Sequence, residues 1–279
     1  MSSIEFGQIR CLLLIPTYRT SELCMRYYKK KAQEVDAIIF DFEDSVPKSQ
    51  KNEVILKTSY FVDKFSIANP HIFFRLDRDH LNTQITEINK KNEVKGVIWP
   101  KFSTEEELTY LQSELRSDIK IIPVIETAEA VLKLEFLLRN THNLAGLIFG
   151  PQDLSAQLGV FPTWKNLLFA ASKVKLVAAT LGLPVWGVIG EFARLDSLGL
   201  SEFKENLQLS KEIGFNGCFA IHPQQIKVIK SIFSLNQEEL KFLKDVEELP
   251  SDGGIQVYDH FMHGPPSVIR KKNINRIDN

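Results

Sequence analysis

Short apolar runs alternate with longer amphipathic stretches along most of the chain. The runs are Leu12–Pro16, Ala37–Phe40, Ile72–Leu76, Gly96–Pro100, Ile119–Ile125, Leu144–Gly150, Pro184–Gly190 and Gly217–Ile221. Each is rich in Ile, Val, Leu or Phe and nearly unbroken by polar residues, as a strand covered on both faces requires. The segments between them carry helical signals. Ser103-Thr104-Glu105-Glu106 opens one with capping residues and acidic first-turn side chains, and Leu108, Leu111 and Leu115 follow at helical spacing. Thr127 to Arg139 and Asn166 to Leu181 read the same way. About eight such units in roughly 220 residues predict an α/β fold of the (β/α)8 TIM-barrel type. An open doubly wound sheet is the rival, but neither its dinucleotide fingerprint G-x-G-x-x-G nor a phosphate loop G-x-x-x-x-G-K-[ST] occurs.

The barrel is placed at residues 1–235, followed by a C-terminal extension over residues 236–279. There Asn236 to Leu249 reads as helix, Ser251-Asp252-Gly253-Gly254 breaks it, and Tyr258 to Arg270 follows with Pro265-Pro266 inside it. This extra helical segment has no place in the barrel. It is expected to pack over the barrel mouth or on a neighbouring subunit.

Composition narrows the class. The 279 residues are 44% apolar and 25% charged, with a net charge of -1, the balance of an enzyme with a full core. No basic excess points to nucleic acid, and Lys29-Lys30-Lys31 reads as the solvated face of a helix. Cys11, Cys24 and Cys218 are odd in number and widely spaced, so neither a zinc site nor a disulfide framework is indicated. Leu12 to Ile15 is too short for the apolar part of a signal peptide, and no stretch has the length of a membrane span. A cytoplasmic location without membrane partners is the expectation.

In a barrel of this kind the reacting groups stand at the C-terminal ends of strands. Here those ends are polar: Asp41-Phe42-Glu43-Asp44, Arg75-Leu76-Asp77, Pro100-Lys101, Glu126-Thr127, Gly150-Pro151-Gln152-Asp153 and His222-Pro223. Several carboxylates around one mouth point to a hard, oxygen-loving cation. Each residue also has a plainer reading. Asp44 and Asp153 suit helix N-caps as well as ligands. Glu126 is a poor cap and follows the apolar run directly, which favours function. Arg75 suits either an ion pair inside the barrel or a bidentate clamp on a carboxylate. Lys101 is poised between phosphate binding and a surface salt bridge, and His222 reads as a structural hydrogen-bonding group.

The order of these motifs resembles the citrate lyase β-subunit-like branch of the HpcH/HpaI aldolase superfamily over nearly the whole chain. The matching landmarks are Leu14-Ile15-Pro16 with Arg19, Asp41-Phe42-Glu43-Asp44-Ser45-Val46-Pro47, Arg75, Pro100-Lys101 and Ile125-Glu126-Thr127. Gly150-Pro151-Gln152-Asp153-Leu154, and Gly214-Phe215-Asn216-Gly217 leading into Ala220-Ile221-His222-Pro223, complete the series. The resemblance implies a homotrimeric barrel with Mg²⁺ at its mouth. It implies a carbon–carbon lyase whose partners are a small oxo acid and a thioester of CoA or of an acyl carrier, of the malyl, citramalyl or citryl type. It makes Glu126 and Asp153 the Mg²⁺ ligands and Arg75 the anchor of the oxo acid. Glu43 and Asp44 would hold water around the ion, and Pro16, Arg19 and Lys101 would lie along the carrier arm.

The chain departs from the pattern at four places. Trp186 stands where relatives carry Asp, Asp77 where many carry Asn, and Cys218 where Lys is common. In the tail, Met262-His263-Gly264-Pro265-Pro266 puts Gly264 where an Asp otherwise reaches the active site of a neighbouring subunit. His263 beside it is a candidate substitute base, against the plainer reading of an exposed His. An aldolase acting on free hydroxy-oxo diacids, and a barrel that binds an acyl thioester without turning it over, are the competing expectations.

Overall fold

The eight apolar runs are eight parallel strands: β1 (Cys11–Pro16), β2 (Ala37–Asp41), β3 (Ile72–Arg75), β4 (Val94–Trp99), β5 (Lys120–Ile125), β6 (Leu147–Phe149), β7 (Val185–Gly187) and β8 (Cys218–Ala220). The computed structural model describes residues 6–19, 21–68, 71–247, 255–258 and 261–275. Neighbouring strands pair in the order β7-β6-β5-β4-β3-β2-β1-β8. The ends of that order meet as well. Trp186 of β7 bridges to Gly217 beside β8, and the Gly187 N–H donates to the Gly217 carbonyl at 3.0 Å. The sheet is therefore a closed cylinder, and the open-sheet alternative is excluded.

The helices run back outside it: α1 (Glu22–Ala32), α2 (Lys51–Leu56), α3 (Thr58–Phe65), α4 (Leu81–Asn89), α5 (Glu105–Glu114), α6 (Ala128–Leu137), α7 (Pro151–Leu158), α8 (Trp164–Thr180), α9 (Ser197–Glu212) and α10 (Gln225–Phe233). Strand alternation splits the core in two. Cys11, Leu13, Ile38, Phe40, Ile72 and Phe74 face outward onto the helices. Leu12, Ala37, Ile39, Phe73, Ile98 and Ile122 fill the lumen. Trp186 is the largest lumen side chain and is wholly buried. Its indole Nε1–H donates to the Ile9 carbonyl at 2.7 Å, and its ring lies 2.4 Å from where Gly146 would carry a Cβ. This residue plugs the cylinder from below, which accounts for the apolar replacement of an acid there.

One helix was not legible as such. Gly150-Pro151-Gln152-Asp153 reads as a polar strand end, but α7 begins within it. Pro151 takes the first helical position and Gly159 closes the helix in the left-handed conformation, φ +69°.

The extension begins with α11 (Gln237–Glu247), within the helix expected over Asn236 to Leu249, whose last two residues lie outside the described ones. The breaker Ser251-Asp252-Gly253-Gly254 lies outside the described residues. The stretch from Tyr258 is not helical at first. An antiparallel hairpin, β9 (Gln256–Tyr258) with β10 (Phe261–His263), precedes α12 (Pro265–Asn275), and the two prolines occupy the helix start, where no N–H partner is lost. Pro266, Ile269 and Ile274 border a cavity with Phe6, Leu144, Pro184 and Asn216, residues that precede strands. Within its own chain α12 thus lies at the foot of the barrel and not across its mouth. The reason is direction: α10 runs antiparallel to the strands, so the chain leaves it at the lower end. No helix among the described residues is long and apolar enough to cross a membrane.

Candidate active site

β2 ends at Asp41 and β3 at Arg75, and the parallel register sets the two side by side. Arg75 Nε and Nη2 donate to the two carboxylate oxygens of Asp41, each at 2.7 Å. The N–H groups of Glu43 and Ser45 donate to the same carboxylate at 2.9 and 3.2 Å. Burial works against a charge on Asp41, but the guanidinium and these donors outweigh it and hold the carboxyl below its usual range. The free edge of Arg75, Nη1, faces Glu43 Oε2 at 3.0 Å and Asp44 Oδ2 at 3.8 Å.

Lys101 follows β4 and serves two groups. Its ammonium lies 3.1 Å from Glu43 Oε1 and 3.7 Å from Asp44 Oδ1. Partial burial works against that ammonium's charge, but the acids beside it raise its pKa. Its backbone N–H donates to Glu126 Oε1 at 2.6 Å. To do so Lys101 adopts φ +52°, a left-handed conformation uncommon for a residue with a side chain and one that concentrates at functional sites. Glu43 is buried between two cations, and its burial still pushes its carboxyl up.

Glu126 leaves β5 without a capping duty. Thr127 takes that role, its hydroxyl accepting the Ala130 N–H at 3.1 Å. Glu126 is buried, and its carboxyl is pushed up to about 8, first by burial and then by the negative charges of Asp153 and Glu43. Asp153 is not a cap either: Gly150 is the N-cap of α7, and Asp153 stands in the first turn. Gly150 is required sterically, because a Cβ there would lie 2.7 Å from Glu126 Oε2. Arg75, Asp44, Glu126 and Asp153 all line one cavity of about 210 Å³ at the C-terminal end of the strands. Apart from Gln152 its remaining wall is mostly apolar, from Leu14, Ile39, Ile98, Val124 and Ile148, with Phe192 and Phe219 in edge-to-face contact at 5.5 Å.

The other residues singled out in the sequence lie further from this cavity. Pro16 ends β1. Arg19 is exposed, and its Nε–H donates to the Tyr18 hydroxyl at 2.8 Å. His263 is buried, not exposed, on the tail hairpin, its ring 5.6 Å from that of Phe242. His222 accepts the Gln224 N–H at 3.3 Å on its Nδ1 and is structural. Asp77, replacing Asn, forms a buried ion pair with Lys51 at 2.6 Å and meets His80 at 2.9 Å. Sequence reasoning gave Asp41 no role. The signal was its place in the acidic run after β2, but its meaning depends on the register with β3.

Among the described residues no group of three or more His, Cys, Asp or Glu side chains gathers around one point. Of the three carboxylates that line the mouth cavity, Glu126 and Asp153 repel one another, and Asp44 lies beside Arg75 and Lys101. The first two fit Mg²⁺, which takes one or two protein carboxylates and keeps its other positions for water and substrate oxygens. The raised Glu126 points the same way, since burial and the negative charges of Asp153 and Glu43 outweigh the Lys101 N–H and the Arg75 guanidinium, and a further cation would offset them.

Fold and site together define a (β/α)8 barrel enzyme with carboxylates and an arginine gathered at the C-terminal face of its strands. The chain belongs to the HpcH/HpaI aldolase/citrate lyase family, whose model matches residues 27–223. It is 23% identical to the mitochondrial citramalyl-CoA lyase of Mus musculus over 272 residues, covering 88% of this chain and 77% of the relative. It is 27% identical to a (3S)-malyl-CoA thioesterase of Cereibacter sphaeroides over 244 residues, covering 83% and 79%. Its fold matches CitE of Mycobacterium tuberculosis, solved in complex with magnesium, acetoacetate and coenzyme A. The TM-score is 0.71 and the identity 18%, over 98% of this chain and all of that one.

Proposed function

We propose that this chain is a Mg²⁺-dependent carbon–carbon lyase that cleaves, or in reverse forms, a β-hydroxy acyl thioester of the malyl-, citramalyl- or citryl-CoA type. The observation that carries the reading is the convergence of Glu126, Asp153 and Arg75 on one small cavity in a barrel of this family. Glu126 and Asp153 would hold the ion, and Glu43 and Asp44 the water around it. Bound there, Mg²⁺ supplies a Lewis acid for the hydroxyl oxygen of the substrate and the carbonyl of the product.

The protein's own part is orientation and exclusion. Arg75 would exchange its Nη1 contact with Glu43 for the carboxylate of the oxo acid, while Asp41 on its other edge stops the guanidinium from turning. The apolar wall keeps bulk water from the scissile bond. A cavity of about 210 Å³ takes the oxo-acid fragment and no more. The carrier arm would therefore run outward along Pro16, Arg19 and Lys101. His263, buried on the tail at the foot of its own barrel, would act as a base only at the mouth of an adjacent copy. We also propose that the chain is a homotrimer. Its support is the exposed apolar set Leu132, Phe136, Phe161, Phe169 and Leu176 on and beside α6 and α8.

The test follows release of glyoxylate, pyruvate or oxaloacetate from malyl-, citramalyl- and citryl-CoA. Turnover is expected to stop with a chelator, return with Mg²⁺ and fall on the order of 100-fold in Glu126→Ala. Chelator-resistant turnover would remove the metal from the mechanism, and an unchanged rate in the variant would remove Glu126 from the metal. Inhibition by free CoA separates thioester cleavage from an aldolase reaction on free diacids.

A further inference from the structure

The foot of the barrel holds a second cavity, larger than the mouth, of about 690 Å³. That lies within the range of roughly 300–1,000 Å³ usual for small-molecule sites. Phe6, Leu183, Pro184, Phe215, Ile269 and Ile274 give it apolar walls. The acid in its lining, Glu239, is taken by Lys211 at 2.8 Å, and Arg270 lies over the Phe242 ring at 5.7 Å. Lys175 of α8 enters the same space and has no such arrangement. No carboxylate among the described residues pairs with its ammonium, and burial alone pushes its pKa down.

Two features make this placement specific. Lys173, two residues earlier on the opposite side of α8, pairs with Glu135 at 3.4 Å and donates to the Leu132 carbonyl at 2.6 Å. Lys175 alone is turned inward. Its stem passes over Gly214, where an added Cβ would lie 2.9 Å from Cε. Gly214 also has φ +97°, a conformation that favours glycine. A partly desolvated ammonium with no carboxylate partner among the described residues is unfavourable. The missing component is an anion. The Lys175 ammonium, which meets neither a carboxylate nor a ring among the described residues, stands against apolar walls and fits a single negative charge on a hydrocarbon body.

We propose that this foot cavity binds an aliphatic monocarboxylate, its carboxylate paired with Lys175 Nζ and its chain laid against Phe6, Leu183, Pro184, Phe215 and Ile269. The site is separate from the mouth and does not depend on the reaction assigned there. Calorimetric titration of the full chain with octanoate, octylamine and octanol tests it. Octanoate is expected to saturate at one per chain, unmoved by a chelator or by excess Mg²⁺ with pyruvate, while octylamine does not bind. Lys175→Met is expected to weaken octanoate tenfold or more, and Lys173→Met to leave it unchanged. Ile269→Glu, which adds a negative charge to an exposed part of the wall, is expected to weaken it too, and serves if Lys175→Met does not fold. Octanoate that fails to saturate, that is displaced by Mg²⁺ with pyruvate, or that binds Lys175→Met as well as the parent would overturn the site. So would octylamine binding as tightly as octanoate.

Discussion

Asp41 and Arg75 form the tightest charge pair at the mouth, and one edge of the guanidinium is committed to it. Asp41→Asn keeps the shape but removes the charge opposite a largely buried arginine. Breaking a buried pair from one side costs about 3–5 kcal/mol, so the variant should lose that order of stability in urea titrations. Its KM for the thioester should rise as Arg75 becomes free to swing. The pH dependence has a definite sign. The carboxyl of Asp41 is held below its unfolded value of about 3.9. Its contribution is present above that value and is lost as pH falls through the folded one. The urea midpoint of the parent should therefore drop below about pH 4, more steeply than that of Asp41→Asn. At this scale the sequence was partly readable. Glu126 stood out because it follows an unbroken apolar run and is a poor cap. Asp41 did not, because its partner comes from another strand and only the register joins them.

The elements themselves were largely legible, since a strand covered on both faces must be continuously apolar and a surface helix must not be. What the pattern does not encode is direction in space. The extension reads as extra helix whichever end of the barrel it reaches, and only the downward course of α10 places it at the foot. Within that extension, Gln256-Val257-Tyr258 and Phe261-Met262-His263 carry β-forming residues too briefly to register against the surrounding helices. The cap of α6 offers a measurable case at this scale. Thr127→Ala removes the bond to the Ala130 N–H and should cost about 0.5–2 kcal/mol in thermal unfolding. Because Glu126 is held separately by the Lys101 N–H, metal-dependent turnover should fall far less than in Glu126→Ala.

Closure decides the class of the whole molecule, and the bridge between Trp186 and Gly217 is where it happens. An alternating pattern of strands and helices also suits an open sheet, and it was the count of about eight units, with no dinucleotide or phosphate-loop motif, that favoured the cylinder. Outside the cylinder, Leu132 and Phe136 on α6 adjoin Phe169 and Leu176 on α8, an apolar surface left to solvent in the single chain. Sedimentation velocity should give a species of about three times 31.9 kDa if this surface is shared between copies. The double variant Phe136→Glu with Phe169→Glu should sediment as a single chain while keeping its far-ultraviolet circular dichroism. A trimer that persists in that variant would move the interface elsewhere.

The indole that stops the lumen from below has a kinetic corollary. A reaction chamber with one door imposes a queue: the fragment seated against the floor stays until the one above it has gone. If the oxo acid sits innermost, as proposed, the acyl-carrier fragment would depart first in cleavage, and the oxo acid would enter first in condensation.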